Sequence, residues 1–357
     1  MITRYATMGG VIRADLDQLP SYIPGRSIQG AVKLASNEVA VAPPPSVVAA
    51  IADAAARVNR YPSNAATALV DRLAARLDVP MSQLALGPGS VALCQHLVQA
   101  TCGPADEVVF AWRSFEAYPI ITQVVGARHR TVPLRDDHTH DLPAMLAAIT
   151  PQTRLVFVCN PNNPTGTVVP RDELVAFLDA VPGGVLVALD EAYHEFVTDP
   201  AVADGIVLSR SRDNLAVLRT FSKAYRLAGL RVGYCVAPEP VVTALRKVSV
   251  PFSVNSVAQA GALASIDATD ELLMHCKNIV AERDRVRAEL LAMGYAVPDT
   301  QANFVWLPLG ERSLAFNEHC AAHKIVIRPF AGDGVRVTIG DPHENDAFLT
   351  AVRVWRG

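Results

Sequence analysis

Six short runs of apolar, largely β-branched residues punctuate the middle of the chain, at Glu107 to Ala111, His129 to Leu134, Arg154 to Cys159, Val185 to Leu189, Leu215 to Leu218 and Arg231 to Val236. Each is bounded by turn residues and is apolar almost without interruption, which suits strands of a mostly parallel sheet covered on both faces. Helical patterns lie between them, as in Asp172 to Ala180 and in Ser90 to Thr101, the latter introduced by Gly87-Pro88-Gly89. This alternation predicts a doubly wound α/β layer structure. Beyond about Val254 the pattern changes to long helices, among them Ile279 to Met293, whose Ile279, Val286, Leu290 and Met293 share one face before Gly294 ends it. Short strands at Asn303 to Leu307, Ile325 to Arg328 and Val335 to Ile339 then predict a smaller α+β unit, joined by the N-terminal segment. The expected organisation is an N-terminal arm over residues 1–44, a large domain over 45–254 and a small C-terminal domain over 255–357. Pro43-Pro44-Pro45 forms a stiff connector ahead of a helix initiated at Ser46.

Composition narrows the classes. With 50% hydrophobic and 19% charged residues in 357, the chain can bury a sizeable core and is too apolar for disorder. A net charge of −3, with both signs mixed along the sequence, gives no basic face for a nucleic acid. The six cysteines (Cys94, Cys102, Cys159, Cys235, Cys276 and Cys320) form no CxxC pair and read as reduced core thiols. Met1 to Pro20 is interrupted by charges and offers no signal sequence, and the longest apolar stretch, near Gly184 to Leu189, is far shorter than the ~20 residues of a membrane span. A cytoplasmic protein is expected. His138-Thr139-His140 lacks a third ligand and is expected to be solvated rather than metal-bound.

Four local patterns carry chemistry. In Thr220-Phe221-Ser222-Lys223-Ala224, followed by Leu227-Ala228-Gly229-Leu230-Arg231, a lysine lies just past a buried strand; desolvated there, its amine becomes a nucleophile and base suited to imine chemistry. Asp190-Glu191-Ala192-Tyr193 ends the most apolar strand, at the carboxyl edge where open α/β sheets bind ligands. Cys159-Asn160-Pro161-Asn162-Asn163-Pro164-Thr165-Gly166 makes a rigid turn after another strand, and Gly87-Pro88-Gly89-Ser90-Val91 opens a helix whose N-terminus attracts phosphate. Taken singly, each has an ordinary reading: a surface lysine, a helix N-cap, a turn and a glycine-rich connection. Together they assign Asp190 to a protonated pyridine nitrogen, Tyr193 and Asn163 to a phenolic oxygen, and Ser90, Val91, Ser222 and Arg231 to one phosphate cup. The glycine turn has neither the GxGxxG spacing nor the GK[ST] of a nucleotide site.

NPNNPTG, DEAY, SKAYRLAGLR and the late GVRVTIG together resemble the fold-type I pyridoxal-phosphate aminotransferases, specifically the histidinol-phosphate aminotransferase family. The likeness runs from Ser21-Tyr22-Ile23-Pro24-Gly25 and Lys33-Leu34-Ala35-Ser36-Asn37-Glu38 to Pro342-His343-Glu344-Asn345. It implies the fold-type I architecture, with pyridoxal 5′-phosphate on Lys223 as its Schiff-base lysine and Asp190 at the ring nitrogen. It implies Phe115 stacked on the cofactor and, in a homodimer, Tyr61 reaching the phosphate from the second subunit. Arg336 is implied as the clamp on the substrate's anionic group, with Arg328, Tyr22, Asn37 and Asn303 lining the same pocket. Where many members carry an acidic residue, a tyrosine and an asparagine, this chain has Val91, Phe115 and Val39. Each change removes a polar group. A less polar site suits an aromatic side chain better than an imidazole bearing a phosphate ester, because unpaired buried polar groups are costly.

The expected activity is therefore ping-pong transamination of phenylalanine or tyrosine with 2-oxoglutarate. Histidinol-phosphate transamination is the alternative on the same scaffold. A decarboxylase or lyase would share the lysine and aspartate but gain little from the arginine, and a non-catalytic binding module would leave the cofactor contacts superfluous.

Overall fold

The computed structural model describes residues 28–356 together with Arg13, Leu16 and Leu19. Its strands in chain order are β1 (Val32–Lys33), β2 (Leu84–Gly87), β3 (Glu107–Trp112), β4 (Arg128–Pro133), β5 (Thr153–Cys159), β6 (Leu186–Asp190), β7 (Leu215–Thr220), β8 (Gly233–Val236), β9 (Phe304–Leu307), β10 (Ile325–Val326), β11 (Arg328–Phe330) and β12 (Gly334–Thr338). A seven-stranded sheet runs in the order β2-β8-β7-β6-β5-β3-β4. The pairings from β7 to β4 are parallel, whereas β8 is antiparallel to both of its neighbours.

Both faces of the sheet are covered, and the strands read accordingly. In β5, β6 and β7, Val156, Val158, Val187, Leu189, Leu215 and Val217 enter one apolar cluster. The alternate residues Leu155, Phe157, Leu186, Ala188, Ala216 and Leu218 enter the other. Each large side chain fully buried in this way stabilises the fold by about 1.5–3 kcal/mol. The period of two continues past the apolar run. Asp190 therefore follows Leu186 and Ala188 toward the face that holds Tyr118, and Glu191 falls on the opposite face with Arg219.

A three-stranded antiparallel sheet, β11-β12-β9, and the parallel pair β1-β10 make up the rest of the strand structure. The N-terminal segment is stitched to both: the Leu34 N–H donates to the Val326 carbonyl at 2.7 Å, and the Leu34 carbonyl accepts from the Thr338 N–H at 2.9 Å.

Several local expectations change. β2 has no counterpart among the predicted strands. Residues Arg231 to Val236 do not form one strand, since Arg231 adopts φ +59° after a short 3-10 turn and β8 begins at Gly233. The single strand expected from Ile325 to Arg328 is two, β10 and β11, which serve different sheets. The long helix spans Thr269–Ala292 and starts ten residues before the predicted face, at Thr269 instead of Ile279. His140 is buried at 2% exposure, contrary to the solvated loop expected, and burial lowers its pKa to about 4. Among the described residues no group of His, Cys, Asp or Glu could hold a metal ion, and no helix is long and apolar enough to cross a membrane. The described cysteines are free thiols, all buried except the half-buried Cys102.

The Arg219 guanidinium donates to Glu191 at 2.7 and 2.9 Å and to Asp204 at 2.7 Å, while the other Glu191 oxygen accepts the Gly205 N–H at 2.8 Å. This pair anchors the segment that follows β6. Replacing Arg219 with Leu leaves a buried carboxylate without its cation and should destabilise the chain by about 3–5 kcal/mol, read by urea unfolding at fixed protein concentration.

Candidate active site

The carboxyl ends of β5, β6 and β7 open onto a cavity of about 390 Å³, whose lining includes Cys159, Asp190 and Thr220 from these strand ends. This is the edge where open α/β sheets place ligands. Ser90, Val91, Phe115, Asn163, Asp190, Tyr193, Ser222, Lys223, Arg231, Asn37, Arg328 and Arg336 all line it. Twelve of the fifteen residues singled out in the sequence therefore converge on one space.

Asp190 is 3% exposed. Its Oδ2 accepts the Tyr118 hydroxyl at 2.8 Å, and its Oδ1 accepts the Ala192 N–H at 3.2 Å. Burial raises its pKa to about 6, against the lowering effect of these two donors. Across the same cavity, the half-buried Lys223 donates from Nζ to the Ser36 carbonyl at 3.0 Å. Burial first, then the positive charge of Arg336, lowers the amine to about 7. The site thus combines a buried carboxylate with a lysine whose amine titrates well below its ordinary value, at about 7.

Arg336 projects from β12. Its Nη1 donates to the Asn163 side-chain oxygen and its Nη2 to the Ala35 carbonyl, both at 2.6 Å. These bonds orient the guanidinium and leave the Asn163 amide nitrogen as a donor. The Tyr193 hydroxyl accepts from Asn37 Nδ2 at 2.9 Å, and burial pushes its pKa up to about 12. Asn37, held at φ +55°, also takes its backbone N–H to Thr338 Oγ1 at 2.9 Å. Asn303 does not reach the cavity wall: fully buried behind it, it donates to the Asn37 carbonyl at 3.2 Å.

At the other end, Gly89 precedes the Ser90–Thr101 helix at φ +87° and provides no side-chain cap. A Cβ on Gly89 would lie 2.2 Å from Arg231 Nη2, and one on Gly233 would lie 2.7 Å from the Ser90 nitrogen. Two glycines thus let the helix N-terminus and Arg231 approach. Arg231 Nη1 meets Ser222 Oγ at 3.2 Å, so a guanidinium, a hydroxyl and a helix start form one cup of donors that fits a phosphate.

Tyr61 is 82% exposed and stacks on Phe252 at 4.7 Å, away from the cavity of its own chain. Tyr22 lies outside the described residues. Two wall or contact residues escaped the sequence reading. Glu116 accepts from Arg328 at 2.9 Å, and Tyr118 reaches Asp190 from the helix that begins at Ala117. No local signal marked Tyr118, because Phe115 precedes the helix that carries Tyr118 and the two share no helical face.

A half-buried lysine of lowered pKa, a buried carboxylate and a cup of hydrogen-bond donors around one cavity suit an aldehyde cofactor that is a phosphate ester with a basic ring nitrogen. Residues 29–352 match the family model described as Aminotransferase class I and II, and the chain belongs to this family. It is a pyridoxal-phosphate-dependent aminotransferase of fold type I. The chain is 62% identical over 337 residues to an aromatic amino acid aminotransferase of Rhodococcus jostii (strain RHA1), covering 94% of each chain. It is 55% identical over 349 residues to one of Streptomyces coelicolor (strain ATCC BAA-471 / A3(2) / M145), covering 97% of each. Among solved structures, the histidinol-phosphate aminotransferase of Sinorhizobium meliloti in complex with pyridoxal 5′-phosphate superposes with a TM-score of 0.89 at 29% identity, covering 97% of this chain and 98% of that one.

Only a neutral amine attacks an electrophile, and the neutral fraction grows as pH rises through the pKa. In the cofactor-free chain, acetylation of Lys223, followed by mass spectrometry, should therefore rise with pH to half its limiting rate near pH 7. A midpoint at the ordinary lysine value near 10 would contradict the burial of this amine.

Proposed function

We propose that this chain transfers the amino group of phenylalanine or tyrosine to 2-oxoglutarate, giving the aromatic keto acid and glutamate. The observation that carries the reading is a cavity in which the Arg336 guanidinium shares its walls with Val91, Phe115, Ala117 and Ile120. A guanidinium fork suits the α-carboxylate of an amino acid, and the apolar side suits an aromatic ring. The names of the relatives at 55–62% identity support the same substrate class. Histidinol phosphate fits less well, because Glu116 engages Arg328 and sets a negative charge where a phosphate ester would need only cations.

In this reading Ser90, Val91, Ser222 and Arg231 hold the cofactor's phosphate, Phe115 covers its ring, Asn163 and Tyr193 reach its phenolic oxygen, and Asp190 faces its ring nitrogen. Tyr61 enters from the second subunit of a cytoplasmic homodimer. Arg328, Tyr22 and Asn37 shape the substrate side, with Asn303 supporting Asn37. The chain divides into an arm over residues 1–44, a large domain over 45–254 and a small domain over 255–357.

The cofactor, once bound, supplies an aldehyde that links to the amino group and a cationic ring that takes up the electron pair left when the α-hydrogen departs as a proton. Arg336 holds the substrate carboxylate and so orients the bond to that hydrogen. Lys223, whose amine gains its neutral form as pH rises through about 7, would hold the cofactor's aldehyde and is the base placed to take the proton from the substrate's α-carbon. Asp190 keeps a proton on the ring nitrogen, a task its burial supports by denying it water as a competing partner.

Replacing Lys223 with Ala should lower turnover with phenylalanine by at least about a hundredfold to ten-thousandfold, the range for loss of a general base, as measured by keto-acid formation. Turnover near that of the unaltered enzyme would refute the assignment. In the unaltered enzyme kcat/KM for phenylalanine should exceed that for histidinol phosphate by about tenfold or more, and the reverse ratio would select the alternative substrate.

A further inference from the structure

Asp190 is the cofactor's ring partner in the reading above, and the present inference rests on that assignment. We propose that Tyr118 is the positioning residue for this carboxylate: its hydroxyl, fixed by the stacking of its ring on Phe157, sets the orientation of Asp190 and keeps the group ionised to face the cofactor.

Tyr118 is fully buried at the start of its helix. Its ring lies 4.4 Å from that of Phe157 at an interplanar angle of 8°, while the edge-on Phe115 ring packs at 5.5 Å and 89°. With Phe110 tilted against it at 5.7 Å as well, three aromatic contacts in different planes leave the phenol little freedom, and it delivers its hydroxyl to Asp190 Oδ2 at 2.8 Å. The Ala192 N–H reaches the other oxygen at 3.2 Å. Donors from two separate elements, one on each oxygen, fix the plane of the carboxylate as a single hydrogen bond would not.

The charge balance follows from the surrounding groups. Burial disfavours the Asp190 anion, and the neighbouring Glu191 adds a like charge. From the Ser90–Thr101 helix comes the Cys94 thiol and from β5 the Cys159 thiol, both pushed well above their ordinary range by burial and therefore neutral. Tyr193, raised to about 12, is neutral too. Lys223 and Arg336 face the same cavity. Tyr118 itself is pushed far above the usual phenol range by burial and by the Asp190 charge, so it remains a donor at every physiological pH. After burial, this donor is the largest influence on Asp190, and it favours the ionised form.

Tyr118→Phe keeps the ring and its stacking and deletes only the hydroxyl. Affinity of the full chain for pyridoxal 5′-phosphate, read from visible absorbance, should weaken on the acid side as Asp190 takes up a proton. In Tyr118→Phe that acid limb should lie about one pH unit higher, the shift expected for one lost charge-assisted hydrogen bond. Site-specific 3-fluorotyrosine at position 118, nearly the same shape and a stronger donor, should move the limb down, and this arm remains decisive if Tyr118→Phe does not fold. In an Asp190→Asn background this limb should be lost and Tyr118→Phe should shift no remaining pH dependence of affinity, which separates action through Asp190 from a general loosening of the site. An unmoved limb in the folded Tyr118 variants, or an equal shift in the Asp190→Asn background, would overturn the proposal. If Asp190→Asn alone binds the cofactor as the unaltered protein does, the underlying reading of Asp190 fails and the inference falls with it.

Discussion

The site depends on the carboxylate of Asp190, buried at 3% exposure and given one hydroxyl and one backbone N–H as its hydrogen-bond donors. A lone buried charge is normally paired or neutralised, because desolvation is worth several kcal/mol. Glu191, the next residue, shows the usual solution in its paired guanidinium and backbone donor. The contrast between neighbours assigns one carboxylate to architecture and leaves the other turned toward the cavity. Much of the surrounding structure serves that difference, from the apolar strands beneath Asp190 to the aromatic rings beside it.

Lys223 presents the complementary problem at the other side of the cavity. An amine held near the ordinary lysine value would be almost wholly cationic at neutral pH and inert as a nucleophile. Burial and the charge of Arg336 remove that obstacle, and Arg336 in turn is oriented by Asn163 and the Ala35 carbonyl. The two sheets therefore cooperate: β12 of the smaller one contributes the guanidinium, while β6 and the loop after β7 in the larger one contribute the carboxylate and the lysine.

Much of this was legible in the sequence because buried parallel strands are apolar on both faces and the chemistry sits just beyond their ends. The runs ending at Cys159, Leu189 and Leu218 marked both the sheet and the loops that form the cavity, within two residues of the strand ends at Cys159, Asp190 and Thr220. What stayed hidden depends on long-range geometry. β2 is only four residues long and merges with a glycine-rich turn, and the antiparallel course of β8 leaves no trace in its local pattern. Tyr118 drew no notice in the sequence, since its contact with Asp190 comes from the register of β6 against a separate element. The loop before His140 is polar in sequence and partly exposed in the fold, yet the His140 side chain itself turns inward and is buried. Tyr61 is 82% exposed and does not line the cavity of its own chain.

The alternation along β6 has a further consequence for how this segment can change. Side chains on successive residues point to opposite faces, so a one-residue insertion or deletion within the strand exchanges the environments of Asp190 and Glu191. The longer carboxylate would then enter the cavity while the shorter one faced Arg219 across too wide a gap, and the apolar residues before them would trade clusters as well. Point replacements in β6 can be absorbed by local repacking, but its length is invariant under any path that preserves both the scaffold and the reaction.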